Sequence, residues 1–161
     1  MAMSDREFKA GIIRPPMAYG GGMAPGNMLR LIRLVNKHIP LPFGSARNSR
    51  DFINVKNLVE FIHLAVEKEV EGVFYPTDKV PYSTRNVVEE ISRQLGVHTV
   101  NLPSPSIFLK LVEKVRPDLY QKLWGDVVID RQLALSAIGY EPRYTLEDGI
   151  REMVESFKQQ K

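Results

Sequence analysis

Basic side chains near the start of the chain carry the clearest chemical signal. Residues 1–50 hold eight Lys and Arg against two Asp and Glu, whereas residues 51–161 hold fourteen against seventeen. Within the basic stretch, Arg30, Arg33 and Lys37 recur at the i, i+3, i+7 spacing of one helical face. The segment "SARNSRDF" adds Arg47 and Arg50 just before an apolar run. A guanidinium offers a planar fork of donors that matches phosphate oxygens, so the pattern points to an anion site: a phosphate, a nucleic acid or an acidic partner. The alternatives are a solvated helix face for Arg30, Arg33 and Lys37, and a surface ion pair with Asp51 or another carboxylate for Arg50.

A second signal is "RPPMAYGGG", Arg14 to Gly22. Two prolines fix φ and three glycines accept positive φ, which suits a rigid corner followed by backbone that something approaches closely. A plain turn between a strand and a helix is the alternative. Other chemistries find no support. The chain has no cysteine, and His38, His63 and His98 are too far apart for ligand spacing, so no metal site is assigned. No Ser-His-Asp arrangement can be argued either.

The elements that position these residues follow from periodicity. A chain of 161 residues, 43% hydrophobic and 25% charged, suits one globular domain or a large part of one. "KAGIIRPP" reads as a strand ended by proline, after which the chain turns sharply. Met28, Leu31, Ile32 and Val35 give an amphipathic helix with Asn27 as N-cap. "RDFINV" is a strand leading into a helix whose buried face is expected at Val55, Leu58, Val59, Ile62 and Val66. "GVFYPT" is a short strand, and "YSTRNVVEEISRQLG" a helix capped by Ser83 or Thr84 and closed by Gly96. "HTVNLP" is expected as a strand and Ser104–Val115 as a helix, with Ile107, Phe108, Leu111, Val112 and Val115 on one face. After a tight "RPDLYQKLWG" segment come a "DVVID" strand and a short helix from Asp130. Thr145 and Asp148 form a capping box for a last helix burying Leu146, Ile150, Met153, Val154 and Phe157. Alternating strands and helices make the class α/β. Residues 1–9 are expected to be disordered or an introduced start, and 10–161 the folded unit. Without a long apolar run or a signal-like core, a cytoplasmic setting and no membrane contact are expected.

Five segments in order carry a family resemblance: "GIIRPPMAYGGG", "NMLRLIRLV", "LPFGSARNSRDFINVKNLVEFI", "GVFYPTD" and "AIGYEPRYTLEDGI". Together they resemble the C-terminal half of the extended short-chain dehydrogenases, the NAD-dependent nucleotide-sugar epimerase/dehydratase family. The resemblance implies the substrate-binding part of a Rossmann-type α/β fold, with the last elements of the Rossmann domain but without its Gly-rich NAD-binding half. It implies that Pro15 and Pro16 face the cofactor, with Met17 near the sugar. Asn27 and Met28 would meet the nucleotide, and Leu41, Pro42 and Phe43 would lie along the uracil. Arg50 would clamp the diphosphate and Asp126 would sit near the ribose hydroxyls. Two positions depart from the pattern: Met17 stands for an asparagine, and Leu123 for an arginine on the phosphates, with Lys122 or Arg116 as substitutes. The ligand implied is a UDP-sugar or related nucleotide-sugar.

The Gly-rich dinucleotide loop has no counterpart, and Tyr120 to Lys122, Tyr82 to Arg85 and Tyr140 to Arg143 all miss the Tyr-x-x-x-Lys spacing. No catalytic residue is therefore assigned, and the chain alone is expected to be inactive and not to bind NAD by itself. A fragment of a 4-keto sugar reductase or dehydratase is the nearest rival. A basic anion- or nucleic-acid-binding module is the rival of another class, although no aromatics interleave the basic residues. Association into a homo-oligomer through the edge of the first strand is a further expectation.

Overall fold

The computed structural model describes residues 10–22, 26–130 and 138–160. Residues 1–9 and the short helix expected after Asp130 fall outside the described residues. The chain runs β1 (Gly11–Ile13), β2 (Met17–Tyr19), α1 (Asn27–Asn36), β3 (Phe52–Asn54), α2 (Val55–Glu67), β4 (Gly72–Phe74), α3 (Thr84–Leu95), α4 (Ser106–Val115), α5 (Pro117–Trp124) and α6 (Leu146–Gln159).

The proline corner does not end the extended chain. It separates two strands that join different sheets: β1 pairs in parallel with β4, and β2 in parallel with β3. Met17, expected inside a turn, sits opposite Phe52, and Tyr19 opposite Asn54. Pro15 and Pro16 lie between the two ladders, where their missing N–H groups cost no strand pairing. Gly20, Gly21 and Gly22 then take φ of 93°, 65° and 97°, the left-handed conformations expected of them.

Helix starts follow local chemistry where that chemistry is present. Ser83 and Asn86 form a reciprocal capping box on α3, and Gly96 closes that helix in the left-handed region. Thr145 and Asp148 form the expected box on α6. Asn27 is not a cap: it is the first helical residue, Gly26 holds the cap position, and no side chain bonds to the first turn among the described residues. "RPDLYQKLWG" proves to be α5, with Pro117 at its first position.

Tertiary packing overrides periodicity elsewhere. On α2 the buried positions are Asn57, Phe61 and Ala65, while Val59, Ile62 and Val66 are exposed, Val66 at 71%. On α4, which begins at Ser106, Ile107, Leu111 and Val115 face solvent. "HTVNLP" contributes only a bridge from Asn101 to Leu41, and "DVVID" only a bridge from Val127 to Arg50.

The main core joins α1, α3 and α6 to the β2–β3 ladder through Ile32, Val35, Phe52, Val88, Ile91, Ile150 and Val154. Full burial of one such side chain is worth about 1.5–3 kcal/mol. A smaller cluster of Phe61, Ala65, Phe74, Ile138 and Tyr140 lies under α2. Asp78 is the polar node beneath the strands. It accepts from the Tyr19 hydroxyl at 2.6 Å, the Asn54 N–H at 2.9 Å and Asn57 Nδ2 at 2.7 Å. Burial nevertheless raises its carboxyl above the ordinary range, because desolvation outweighs those donors. Asn57 also accepts from the Arg143 and Tyr144 N–H groups, tying the chain ahead of α6 to α2.

Candidate functional site

Residues far apart in sequence converge on one cavity of about 330 Å³. Met17 comes from β2, Asn27 and Met28 from the start of α1, Leu41, Pro42 and Phe43 from the loop after α1, and Arg50 from the approach to β3. The other lining residues are Arg30, Leu31 and Leu34 of α1, Phe52 of β3, Thr84 and Val87 of α3, and Leu123 and Trp124 of α5. This volume falls in the range of small-ligand sites.

Hydrogen bonds fix both walls. On one side, the Leu41 N–H donates to Val100 O at 3.1 Å and Leu41 O accepts from Leu102 N–H at 2.9 Å. The Ser104 hydroxyl donates to Pro42 O. On the other side, the last carbonyls of α5 need partners, as at any helix C-terminus. Arg50 Nη1 donates to Gln121 O at 2.7 Å and Gly125 O at 2.9 Å, and Thr84 Oγ1 donates to Leu123 O at 2.7 Å. Asn48, itself buried, donates to Thr84 Oγ1 at 3.1 Å and accepts from the Thr84 N–H at 3.0 Å. The alternative of an ion pair between Arg50 and Asp51 is not realised: Asp51 accepts from the Ile129 N–H, and the carboxylate whose charge acts on Arg50 is Asp126.

Arg50 therefore has a structural task that the sequence did not reveal. One of its guanidinium nitrogens is spent on α5, and burial lowers its pKa while the charge of Asp126 pushes back. Its Nε and Nη2 have no hydrogen-bond partner among the described residues. Asp126 is exposed, outside the lining, and accepts from the Ser49 N–H at 2.6 Å. It flanks Arg50 rather than entering the cavity.

The walls are aromatic and aliphatic. Phe43 and Trp124 have centroids 5.4 Å apart, and Tyr120 stacks on Trp124 at 6.1 Å. Trp124 Nε1 is buried without a hydrogen-bond partner among the described residues. Of the described lining residues, two are arginines and none is Asp, Glu, His, Lys, Tyr or Cys. The one hydroxyl, Thr84, is engaged. Such a cavity can hold a flat apolar group joined to an anion, but it offers no general acid or base.

A second cavity, about 520 Å³, shares Met17, Asn27 and Met28 with the first and continues along Tyr19, Gly20, Val55 and Met153. Tyr19 is no proton carrier there. Its hydroxyl is committed to Asp78, and burial raises its pKa further. Pro15 and Pro16 line neither cavity. Arg33, Lys37, Arg47 and Arg116 are likewise absent from the lining, and the Lys122 side chain is outside the described residues. The sequence reading missed Trp124, Thr84 and the special place of Arg30. Trp124 had a signal, since the chain's one tryptophan directly precedes Gly125-Asp126.

Comparison with known proteins places this geometry. No family model matches the chain. It is 34% identical over 160 residues to the UDP-glucose 4-epimerase of Vibrio cholerae, a match covering 96% of this chain and 48% of that protein. The fold is similar to UDP-glucuronic acid 4-epimerase from Bacillus cereus, solved with NAD, at TM-score 0.70 and 21% identity over 92% of this chain and 44% of that one. It is also similar to UDP-glucose 4-epimerase from Thermotoga maritima, solved with UDP-glucose, at TM-score 0.66 and 19% identity over 93% and 46%. The chain thus spans about half the length of the curated relative it matches. The resemblance read from the five motifs is matched by similarity in sequence and in fold: the chain is α/β and is similar to about half of a UDP-glucose 4-epimerase.

Proposed function

We propose that this chain is the nucleotide-sugar-holding portion of an NAD-dependent sugar epimerase of the UDP-glucose 4-epimerase kind. The observation that carries the reading is the convergence of Met17, Asn27, Met28, Leu41, Pro42, Phe43 and Arg50 on one cavity with aromatic walls and no carboxylate among its described lining residues. A nucleobase fits the slot between Phe43 and the aliphatic face of α1, where its flat surface replaces water. The free donors of Arg50 take the diphosphate. Met17, shared by both cavities, stands between the nucleotide and a sugar lying toward Gly20. Asp126 reaches the ribose from the rim beside Arg50.

The task of such a unit is positioning. Grip on the diphosphate and base, remote from the reacting carbon, converts binding energy into orientation. The residues present do not fit NAD by themselves. Pro15 and Pro16 offer a rigid apolar corner with neither an N–H donor nor a charge for a pyrophosphate, and Gly20–Gly22 lack the spacing of a dinucleotide-binding loop. No hydride step is assigned to this chain. We place the cofactor on a dinucleotide-binding half like that of the relatives, packed on the apolar face where β1 lacks a second strand among the described residues. Ile12 on β1 and Val59, Ile62 and Val66 on α2 are exposed. In this reading the unit works in the cytoplasm. No helix among the described residues is long and apolar enough to cross a membrane.

A reductase or dehydratase would use the same cavity, because the chemistry lies on the other half. The nucleic-acid reading is less well supported, since Arg33 and Lys37 stand outside the cavity that Arg30 enters. Calorimetric titration of the chain with UDP, UDP-glucose and a single-stranded oligonucleotide tests the proposal. Saturable UDP and UDP-glucose binding supports it. A preference for the oligonucleotide, or no UDP binding at millimolar concentration, overturns it.

A further inference from the structure

The cavity holds a second guanidinium that neither local structure nor the motif resemblance explains. Arg30 is the fourth residue of α1, and its side chain lines the cavity with that of Arg50. It is exposed, and among the described residues it makes no ion pair or side-chain hydrogen bond. A stabilising role within α1 is also absent. The first turn of α1 contains no acidic residue, and a cation near a helix N-terminus opposes the helix dipole.

The position where the resemblance calls for a second phosphate-binding arginine carries Leu123, whose side chain belongs to the apolar wall. Its carbonyl is held by Thr84, so the α5 end is fixed in place without any cation at 123. Asp126 flanks Arg50 from outside the lining, and no described lining residue is a carboxylate, so an anion inside the cavity would draw on both guanidinium groups. Arg50 alone is a reduced clamp, because its Nη1 is committed to α5. A diphosphate carries more charge and more acceptor oxygens than the free Nε and Nη2 of one arginine can satisfy.

We propose that Arg30 is the second cation of the diphosphate site, so that α1 supplies from its own face the charge that position 123 lacks. This rests on the nucleotide-sugar reading above. It makes Arg30 a specificity-determining residue for diphosphate over monophosphate or nucleoside. Arg33, one turn further along α1 and outside the cavity lining, takes no part.

The test is isothermal titration of the 161-residue chain with uridine, UMP, UDP and UDP-glucose, comparing wild type, Arg30→Gln, Arg30→Lys and Arg33→Gln. Glutamine keeps much of the stem that covers apolar surface and removes the charge. The expected result for Arg30→Gln is about a tenfold loss for UDP and UDP-glucose, a smaller loss for UMP and none for uridine. Arg30→Lys should recover part of the UDP affinity and Arg33→Gln should behave as wild type. The UDP affinity of Arg30→Gln should also depend less on salt than that of wild type. Unchanged UDP affinity in Arg30→Gln, or equal losses for uridine and UDP, overturns the Arg30 assignment and leaves the nucleotide-sugar reading standing. Failure of the wild-type chain to bind both uridine and UDP overturns the two together.

Discussion

Replacing Gly149 by alanine tests the packing that places β2 against the cavities. Gly149 is the fourth residue of α6, and on helix propensity alone alanine there should stabilise by about 1 kcal/mol. A methyl on its Cα would lie 2.8 Å from both Tyr19 Cδ2 and Asn54 Nδ2, and closer still to Tyr19 Cε2. Tyr19 and Asn54 are buried, at 3% and 0% exposure, so neither can swing out to solvent. Overpacking of this kind costs about 1–3 kcal/mol. Displacing the Tyr19 ring also strains its 2.6 Å bond to Asp78, and a buried carboxylate deprived of a donor costs about 1–3 kcal/mol more. Set against the propensity gain, the net loss is about 1–5 kcal/mol. Urea unfolding followed by far-UV circular dichroism measures it as a lowered midpoint at unchanged slope. In a Tyr19→Val background, which keeps a strand-forming side chain and removes the ring, the same substitution should cost less than 1 kcal/mol, a rough bound from double-mutant behaviour. A Gly149→Ala chain as stable as wild type, or equal costs in both backgrounds, would refute the reasoning.

Asp78→Asn replaces one accepting oxygen by an amide NH₂, set against either the Tyr19 hydroxyl or the Asn54 and Asn57 donors, and should lower stability by about 1–3 kcal/mol in the same assay. The pH dependence of Asp78 and Asp148 runs in opposite senses. Burial raises the Asp78 carboxyl, so its unfavourable ionisation develops as pH climbs from the ordinary carboxylate range to the folded value; wild-type stability should fall through that window, and not in Asp78→Asn. The backbone and hydroxyl of Thr145 hold Asp148 below its usual range, so its contribution is full at neutral pH and disappears as pH drops through the folded value. Thr145→Ala should cost about 1 kcal/mol at pH 7, measured by urea unfolding, and the gap between wild type and Asp148→Asn should close on acidification. Because Trp124 lines the cavity and is the one tryptophan, its emission should change saturably with UDP; calorimetric binding without that change would place the ligand elsewhere.

Local chemistry made much of this fold legible. The Thr145–Asp148 box, the αL Gly96 and the positive-φ glycines 20–22 are decided within a few residues, and the structure shows each where the sequence placed it; of Ser83 and Thr84, the structure makes Ser83 the cap, paired with Asn86. The order of five motifs carried the family resemblance and the names of seven cavity residues, because each motif reports a short segment that the fold then gathers. Faces were another matter. Val59, Ile62 and Val66 look as apolar as Phe61 and Ala65, and only the position of β4 and the Ile138–Tyr140 segment decides which stripe of α2 is covered. Ile107, Leu111 and Val115 repeat the lesson on α4.

The basic residues divide on the same physical line. Sequence established that Arg30, Arg33, Lys37 and Arg50 are cations near a proline corner, since charge and spacing are properties of the chain itself. Tertiary structure alone separated them, turning Arg30 into the cavity and leaving Arg33 and Lys37 outside it. It also tied one arm of Arg50 to carbonyls more than seventy residues away. Hydrogen bonds and cavities form between segments distant in the chain. Their partners are therefore set by how helices and strands pack, which no local pattern encodes.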